Sequence, residues 1–203
     1  MTMNHAHLLY QGHGSYRITT AAGKVIYVDP FAGEGYDLPA DLVVVTHEHY
    51  DHNALHRLTL KEETVVIRSA QALVKGEYQS FDLGWIRIQS VPAYNKNHRR
   101  ESCVGYILSW DGVVLYASGD TSITAEMPGL PPMDYALLPI DGVYNMDAAE
   151  ATQCASLLKA RVTIPIHVKE GSLYDREMAE QFTAPNRLLV AAGETIELIG
   201  EGK

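Results

Sequence analysis

The sequence predicts an α+β fold in which helices cover two sheets, a layered αββα arrangement. Short apolar, β-branched runs recur through both halves of the chain, turn residues punctuate them, and few stretches have helical character. In the first half the runs cover residues 16–20, 25–28, 42–45, 65–67 and 85–91. In the second they cover 104–109, 113–117, 135–138, 162–166 and 188–190, ending at 194–199. Ala21-Ala22-Gly23-Lys24 and Asp111-Gly112 tolerate positive φ between apolar arms, so both read as hairpin turns. Asp147, with Glu150 three positions on, makes a capping box ahead of a helix at 148–158. Further helices are expected at 174–182 and, shorter, at 53–60 and 69–75. No repeat or linker-like tract divides the chain, so residues 1–203 are expected to form one domain.

At 203 residues, 46% hydrophobic and 20% charged, the chain can bury a sizeable core. Sixteen Lys and Arg against 25 Asp and Glu give a formal net charge of −9, which argues against nucleic acid as a partner. No run approaches the roughly 18 uninterrupted apolar residues of a membrane span, so no membrane partner is expected. The first eight residues lack the cationic flank and apolar run of a secretory signal, which makes the cytoplasm the expected location. Cys103 and Cys154 are expected to stay reduced and structural. Oligomeric state is not legible.

The informative segment is Thr46-His47-Glu48-His49-Tyr50-Asp51-His52, which follows an apolar strand directly. Residues two apart share one face of an extended backbone, so His47 and His49 can aim both imidazoles at one point. A helix would set them about 200° apart. Asp51 and His52 follow after a turn and can aim at a neighbouring point, so four donors in six residues can serve two ions. Imidazole and carboxylate without thiolate favour zinc, one ion or two, with Mn2+ and Fe2+ as alternatives.

This run resembles the His-x-His-x-Asp-His signature of the metallo-β-lactamase superfamily. Other blocks resemble its branch of metal-dependent hydrolases that includes ascorbate phosphate lactonase: Gly12-His13-Gly14-Ser15, Val28-Asp29-Pro30, Val91-Pro92-Ala93-Tyr94-Asn95, Gly119-Asp120-Thr121 and Ile164-Pro165-Ile166-His167. The resemblance implies a four-layer αββα sandwich. It also implies His47 and His49 on a first metal, Asp51 and His52 on a second, Asp120 bridging both, and His167 completing the second. Many relatives have a histidine where this chain has Asn95, a weak zinc ligand, and His98 three residues on can fill that place. Lys96, Arg99 and Arg100 make the same loop basic, which suggests a substrate with an anionic group. Asp29 and Thr46 are expected to support metal-bound imidazoles, His13 to face the cleft or bond to backbone in a turn, and the loop at 141–146 to shape the pocket.

Two such ions activate water to hydroxide at neutral pH and polarise the bond under attack, so the implied reaction is hydrolysis of an ester, lactone, amide or phosphodiester in a small molecule. Asp51 is the candidate to orient the water and relay its proton. No Gly-x-Ser-x-Gly elbow or Gly-rich phosphate loop competes with this reading. The alternative is a non-enzymatic metal-binding or scaffold protein in which Asn95 marks a degraded first site.

Overall fold

The computed structural model describes residues 5–201. It opens with β1 (Ala6–Gly12), β2 (Ser15–Thr19), β3 (Val25–Val28), β4 (Ala40–Val44) and β5 (Leu60–Ile67). A single helical turn, α1 (Ser69–Ala72), leads into a small hairpin of β6 (Leu73–Val74) and β7 (Glu77–Tyr78). Then come β8 (Ser80–Asp82), β9 (Arg87–Pro92), β10 (Val104–Trp110), β11 (Val113–Ala117), β12 (Met133–Pro139), α2 (Ala148–Leu157), β13 (Ala160–Ile166), α3 (Arg176–Glu180) and β14 (Thr195–Leu198). Two six-stranded sheets result, ordered β14-β1-β2-β3-β4-β5 and β13-β12-β11-β10-β9-β8.

Strand direction places the functional residues. β1 and β3 are both antiparallel to β2, and β4 is parallel to β3, so β1, β3 and β4 run the same way. In the second sheet β9 and β11 are both antiparallel to β10, and β12 and β13 continue parallel to β11. The carboxyl ends of these strands open onto one edge of the sandwich, where the loops that follow them meet.

The inner strands β3, β4, β10, β11 and β12 are buried on both faces, which is why they read as nearly unbroken apolar runs. Ile26, Leu42 and Val44 face the space between the sheets, where they meet Leu108, Leu115, Leu137 and Ile164. Their neighbours Tyr27, Val43 and Val45 point the other way, onto Tyr36, Leu38, Leu55 and Leu58. Ala136 and Leu138 face outward against Ala151, Cys154 and Ala155 of α2 and Ala179 of α3. The architecture is an αββα sandwich whose layer over the first sheet is thin, a 3-10 turn at Leu55–Arg57 and the segment before β4.

Several elements differ from the sequence expectation. Only Leu55–Arg57 is helical within 53–60, because Thr59 already pairs with Ala40 and β5 begins at Leu60. The helix expected at 69–75 stops at Ala72, since Lys75 and Gly76 take positive φ to turn β6 into β7. The helix at 174–182 shrinks to Arg176–Glu180, capped by Asp175. Residues 188–190 form no strand; Arg187 makes a lone bridge to Thr163 and the chain peels away. β1 and β8, short in β-branched residues, were not foreseen as strands. The Asp111-Gly112 turn forms as expected, both residues at positive φ between β10 and β11.

At α2 the Asp147 side chain accepts the Glu150 N–H at 2.7 Å. The other half of the expected capping box is not made: the Glu150 carboxylate takes the Ile123 N–H instead, tying the helix to the loop after β11. Among the described residues no helix is long and apolar enough to cross a membrane. Cys103 and Cys154 are free and buried, and burial pushes their thiols up to about 11 and about 12. Asp147→Ala is expected to cost about 1 kcal/mol in urea denaturation, with an unchanged m-value. Neither thiol should react with iodoacetamide at pH 8 in the native protein, and both should react once it is unfolded.

Candidate metal centre

The centre is organised from the end of β3. Asp29 takes φ +44° and turns its carboxylate inward under the end of β4. One oxygen accepts the Thr46 N–H at 2.7 Å; the other accepts the Thr46 hydroxyl at 2.6 Å and lies 2.9 Å from His52 Nδ1. Because the Thr46 proton is committed to Asp29, its Oγ1 is left to accept from His47 Nδ1 at 3.0 Å. Both rings therefore spend Nδ1 on support and turn Nε2 toward the cleft. Each of these two Nε2 atoms is buried without a hydrogen-bond partner. Gly14 leaves room for His52, since a Cβ there would lie 2.7 Å from the ring.

The second sheet supplies the facing groups. Gly119, at φ +62°, packs so closely on Thr46 that a Cβ would meet the Thr46 Cβ at 2.7 Å. That approach sets Asp120 beside the histidines. Its Oδ1 lies 3.6 Å from His52 Nε2, and its Oδ2 lies 3.2 Å from His98 Nε2 and 3.7 Å from His167 Nε2. His167, at φ +47° after β13, donates its backbone N–H to His13 and has Nδ1 3.0 Å from Asp141 Oδ2.

Two donor groups emerge. In the first, ring nitrogens of His47, His49 and His98 lie within 4.8 Å of one another; in the second, donor atoms of His13, Asp51, His52 and His167 do. Asp120 sits between them. All six residues expected from the motifs meet at this edge. Asn95 stands beside His98: its Oδ1 accepts from the backbone N–H of Asn97 and His98 and from His98 Nδ1 at 3.0 Å, an arrangement that aims the His98 ring.

Two residues carry more than sequence reasoning gave them. His13, at φ +52° in the β1–β2 turn, places Nε2 3.1 Å from Asp51 Oδ2 and its ring 3.6 Å from that of His167. Asp141 holds His167 and accepts the Val143 and Tyr144 N–H groups, both at 2.7 Å. A glycine-flanked histidine and an Asp-Gly after a strand were the available signals. Within the basic loop Arg100 pairs with Glu126 and stacks on Tyr94, and Lys96 lines a separate pocket with Ser122 and Glu150.

The electrostatics follow from burial and crowding. Burial, then the neighbouring His52, pulls His47 down to about 2, so its ring is neutral at pH 7. For His52 burial works the same way, but Asp120 and Asp29 outweigh it and raise the ring to about 9. His167 is raised likewise, against burial, by Asp120 and Asp141. Burial opposes ionisation of Asp120 and Asp51, yet the imidazoles around them hold both carboxyls well below the usual range. Nitrogen and carboxylate donors around two unpartnered imidazole nitrogens fit divalent cations. Above the donors opens a cleft of about 740 Å³.

Comparison with known proteins agrees with this geometry. The family described as the beta-lactamase superfamily domain matches residues 7–167. A metal-dependent hydrolase of Methanoregula boonei is 33% identical over 183 residues, covering 79% of this chain and 81% of its own. A solved structure from Parabacteroides distasonis, described as a metal-dependent hydrolase, superposes with TM-score 0.76 at 28% identity, covering 90% of this chain and 91% of that one. Igni18 of Ignicoccus hospitalis, described as a metallo hydrolase, shares the fold with TM-score 0.72 at 23% identity, over 95% and 97% of the two chains. Matched over most of its length, the chain belongs to the metallo-β-lactamase superfamily.

Proposed function

We propose that this protein is a metal-dependent hydrolase that holds one or two divalent cations, zinc foremost, and cleaves an ester, lactone or phosphodiester bond in a small molecule. The reading rests on the buried, unpartnered Nε2 atoms of His47 and His52, which converge with those of His98 and His167 around Asp120. The names carried by the relatives from Methanoregula boonei and Parabacteroides distasonis agree with it.

In this reading His47, His49 and His98 would hold one cation and Asp51, His52 and His167 the other, with Asp120 shared. When bound, zinc supplies Lewis acidity and water whose pKa falls to about 7. The chain's own part is to present ring nitrogens and to manage protons, since His52, raised to about 9, must give up a proton to bind a cation. His47 has no proton to displace at neutral pH. Asp51, half-buried on the cleft floor and ionised, is placed to orient a water by accepting its hydrogen, and His13 Nε2, 3.1 Å from Asp51 Oδ2, donates to that carboxylate and holds it in place. Asp29 and Asn95 fix which ring nitrogen of His52 and His98 faces the cleft, and Asp141 lies 3.0 Å from His167 Nδ1.

Protein purified without chelator should carry zinc by elemental analysis and hydrolyse members of an ester, lactone and phosphodiester panel. His47→Ala and Asp120→Ala should each abolish turnover; unchanged activity in both would remove the mechanism. One ion per chain with no turnover of any panel substrate would favour the scaffold alternative. Asn95→Ala, which removes the support of His98 and a hydrogen bond to the Tyr144 carbonyl, should weaken metal binding about 10- to 100-fold by competition with a chromogenic chelator.

The metal-free protein should also show a signature in pH. His52 at about 9, against 6.5 when unfolded, contributes stability that is complete below pH 6.5 and lost as pH rises through 9. His47 acts in the opposite sense, but only between about 2 and 6.5. Melting temperature after chelator treatment should therefore fall between pH 6.5 and 9, and His52→Gln should shrink that fall.

A further inference from the structure

The cleft walls differ in chemistry from the floor. Phe31, Tyr50, Tyr144 and Leu173 surround the opening, with Phe31 and Tyr50 edge to face at 5.7 Å. Tyr50 is 79% exposed, Leu173 49% and Tyr144 43%, and large apolar side chains gathered at one opening mark a binding surface where scattered ones would not. Beyond the donor residues, the charged side chains lining the cleft are Glu48 and Glu170, with no lysine or arginine among the lining residues. Arg68 neutralises Glu48 at 2.6 Å. Glu170 accepts the Tyr144 hydroxyl at 2.9 Å and, among the described residues, makes no ion pair. The nearby cation Lys169 is committed to Asp175.

An anionic tail at the mouth of this cleft meets the Glu170 carboxylate and no lysine or arginine, whereas a neutral apolar tail meets aromatic walls. A cationic tail meets ring faces beside a carboxylate, the combination that favours ammonium groups. We propose that the site takes a carboxylic ester or lactone whose outer part is apolar and either uncharged or cationic, and that Glu170 disfavours anionic substrates. This rests on the hydrolase reading and narrows it. In the reaction the oxygen of water bonds to the acyl carbon and the carbon–oxygen bond to the leaving alkoxide breaks. One water proton goes to the alkoxide, and the acid product releases the other.

The test uses the zinc-loaded full chain and three hydroxamates that share a chelating head and carry phenyl, trimethylammonium or carboxylate tails. Calorimetry should find the carboxylate probe weaker than the phenyl probe by about tenfold, the scale of one partly screened charge. Glu170→Lys should bring the carboxylate probe level with the phenyl probe and weaken the trimethylammonium one, and Glu170→Gln should fall between. Matched 4-nitrophenyl esters should follow the same order in kcat/KM, through KM rather than kcat. A carboxylate probe that binds tightest to the wild type, an order unmoved by Glu170→Lys, or faster turnover of bis(4-nitrophenyl) phosphate than of the neutral ester would overturn the proposal while leaving a hydrolase. Probes that bind in the expected order with no ester cleaved would instead sink the hydrolase reading and leave the selectivity standing.

Discussion

The Asp29 carboxylate is the constraint on which the site depends. It is buried at the junction of β3 and β4, and such a group is tolerable only when its lone pairs are filled. Three donors fill them, the Thr46 N–H, the Thr46 hydroxyl and His52 Nδ1, and through the hydroxyl the effect reaches His47. One carboxylate thus fixes the tautomer and orientation of two imidazoles drawn from opposite sides of a turn. Serine 15 extends the same junction: the Ser15 hydroxyl donates to the Asp29 carbonyl and accepts the Ala32 N–H.

The second sheet reaches this junction by close approach and by two polar bridges, the Val104 N–H to the Thr46 carbonyl and the Tyr106 hydroxyl to the Val45 carbonyl, each at 3.0 Å. Gly119 against Thr46 leaves no room for a Cβ, so the loops after β4 and β11 touch and Asp120 is delivered among rings it could not otherwise reach. Parallel strand direction on both sides of that contact is what brings the loops to one edge, the usual location of sites in sheets with parallel strands. Without a cation the charges there settle by protonation: Asp120 stays ionised, His52 is raised to about 9 by Asp120 and Asp29, and His167 is raised by Asp120 and Asp141.

How much of this is legible in the sequence depends on whether a residue is tied to a period. His47 and His49 follow an apolar strand at a spacing of two, so their shared aim can be argued from the pattern, whereas Asp120 and His167 take their places only through the resemblance to the superfamily's motifs. The apolar runs likewise give most of the strands, and their doubly buried character explains why alternation is missing. His13, Asn95 and Asp141 sit in loops, where no period operates and only tertiary contact assigns a part. Asn95 shows this most clearly. Its residue type suggests a weakened site, whereas its three acceptor contacts show a support for His98. Arg100 is a second instance, because its side-chain direction is set by Glu126 and Tyr94 rather than by sequence proximity to the donors.

Backbone conformation shows what this placement costs. Five non-glycine residues among those described have positive φ: Lys75 and Asp111 lie in hairpin turns, and His13, Asp29 and His167 lie in the centre. That conformation is unfavourable for residues bearing a Cβ, by about 1 kcal/mol or more each. Glycine would relieve it at all three places but would remove the imidazole or carboxylate the turn exists to present. The hydrogen bonds that fasten these turns, His13 N–H to Leu173, His167 N–H to His13 and Asp29 N–H to Val44, join both sheets to the loop beside the cleft. Strain at each donor is therefore carried by the sandwich as a whole, and the apolar layers on both faces of each sheet are what let a centre so crowded with polar groups stay in place.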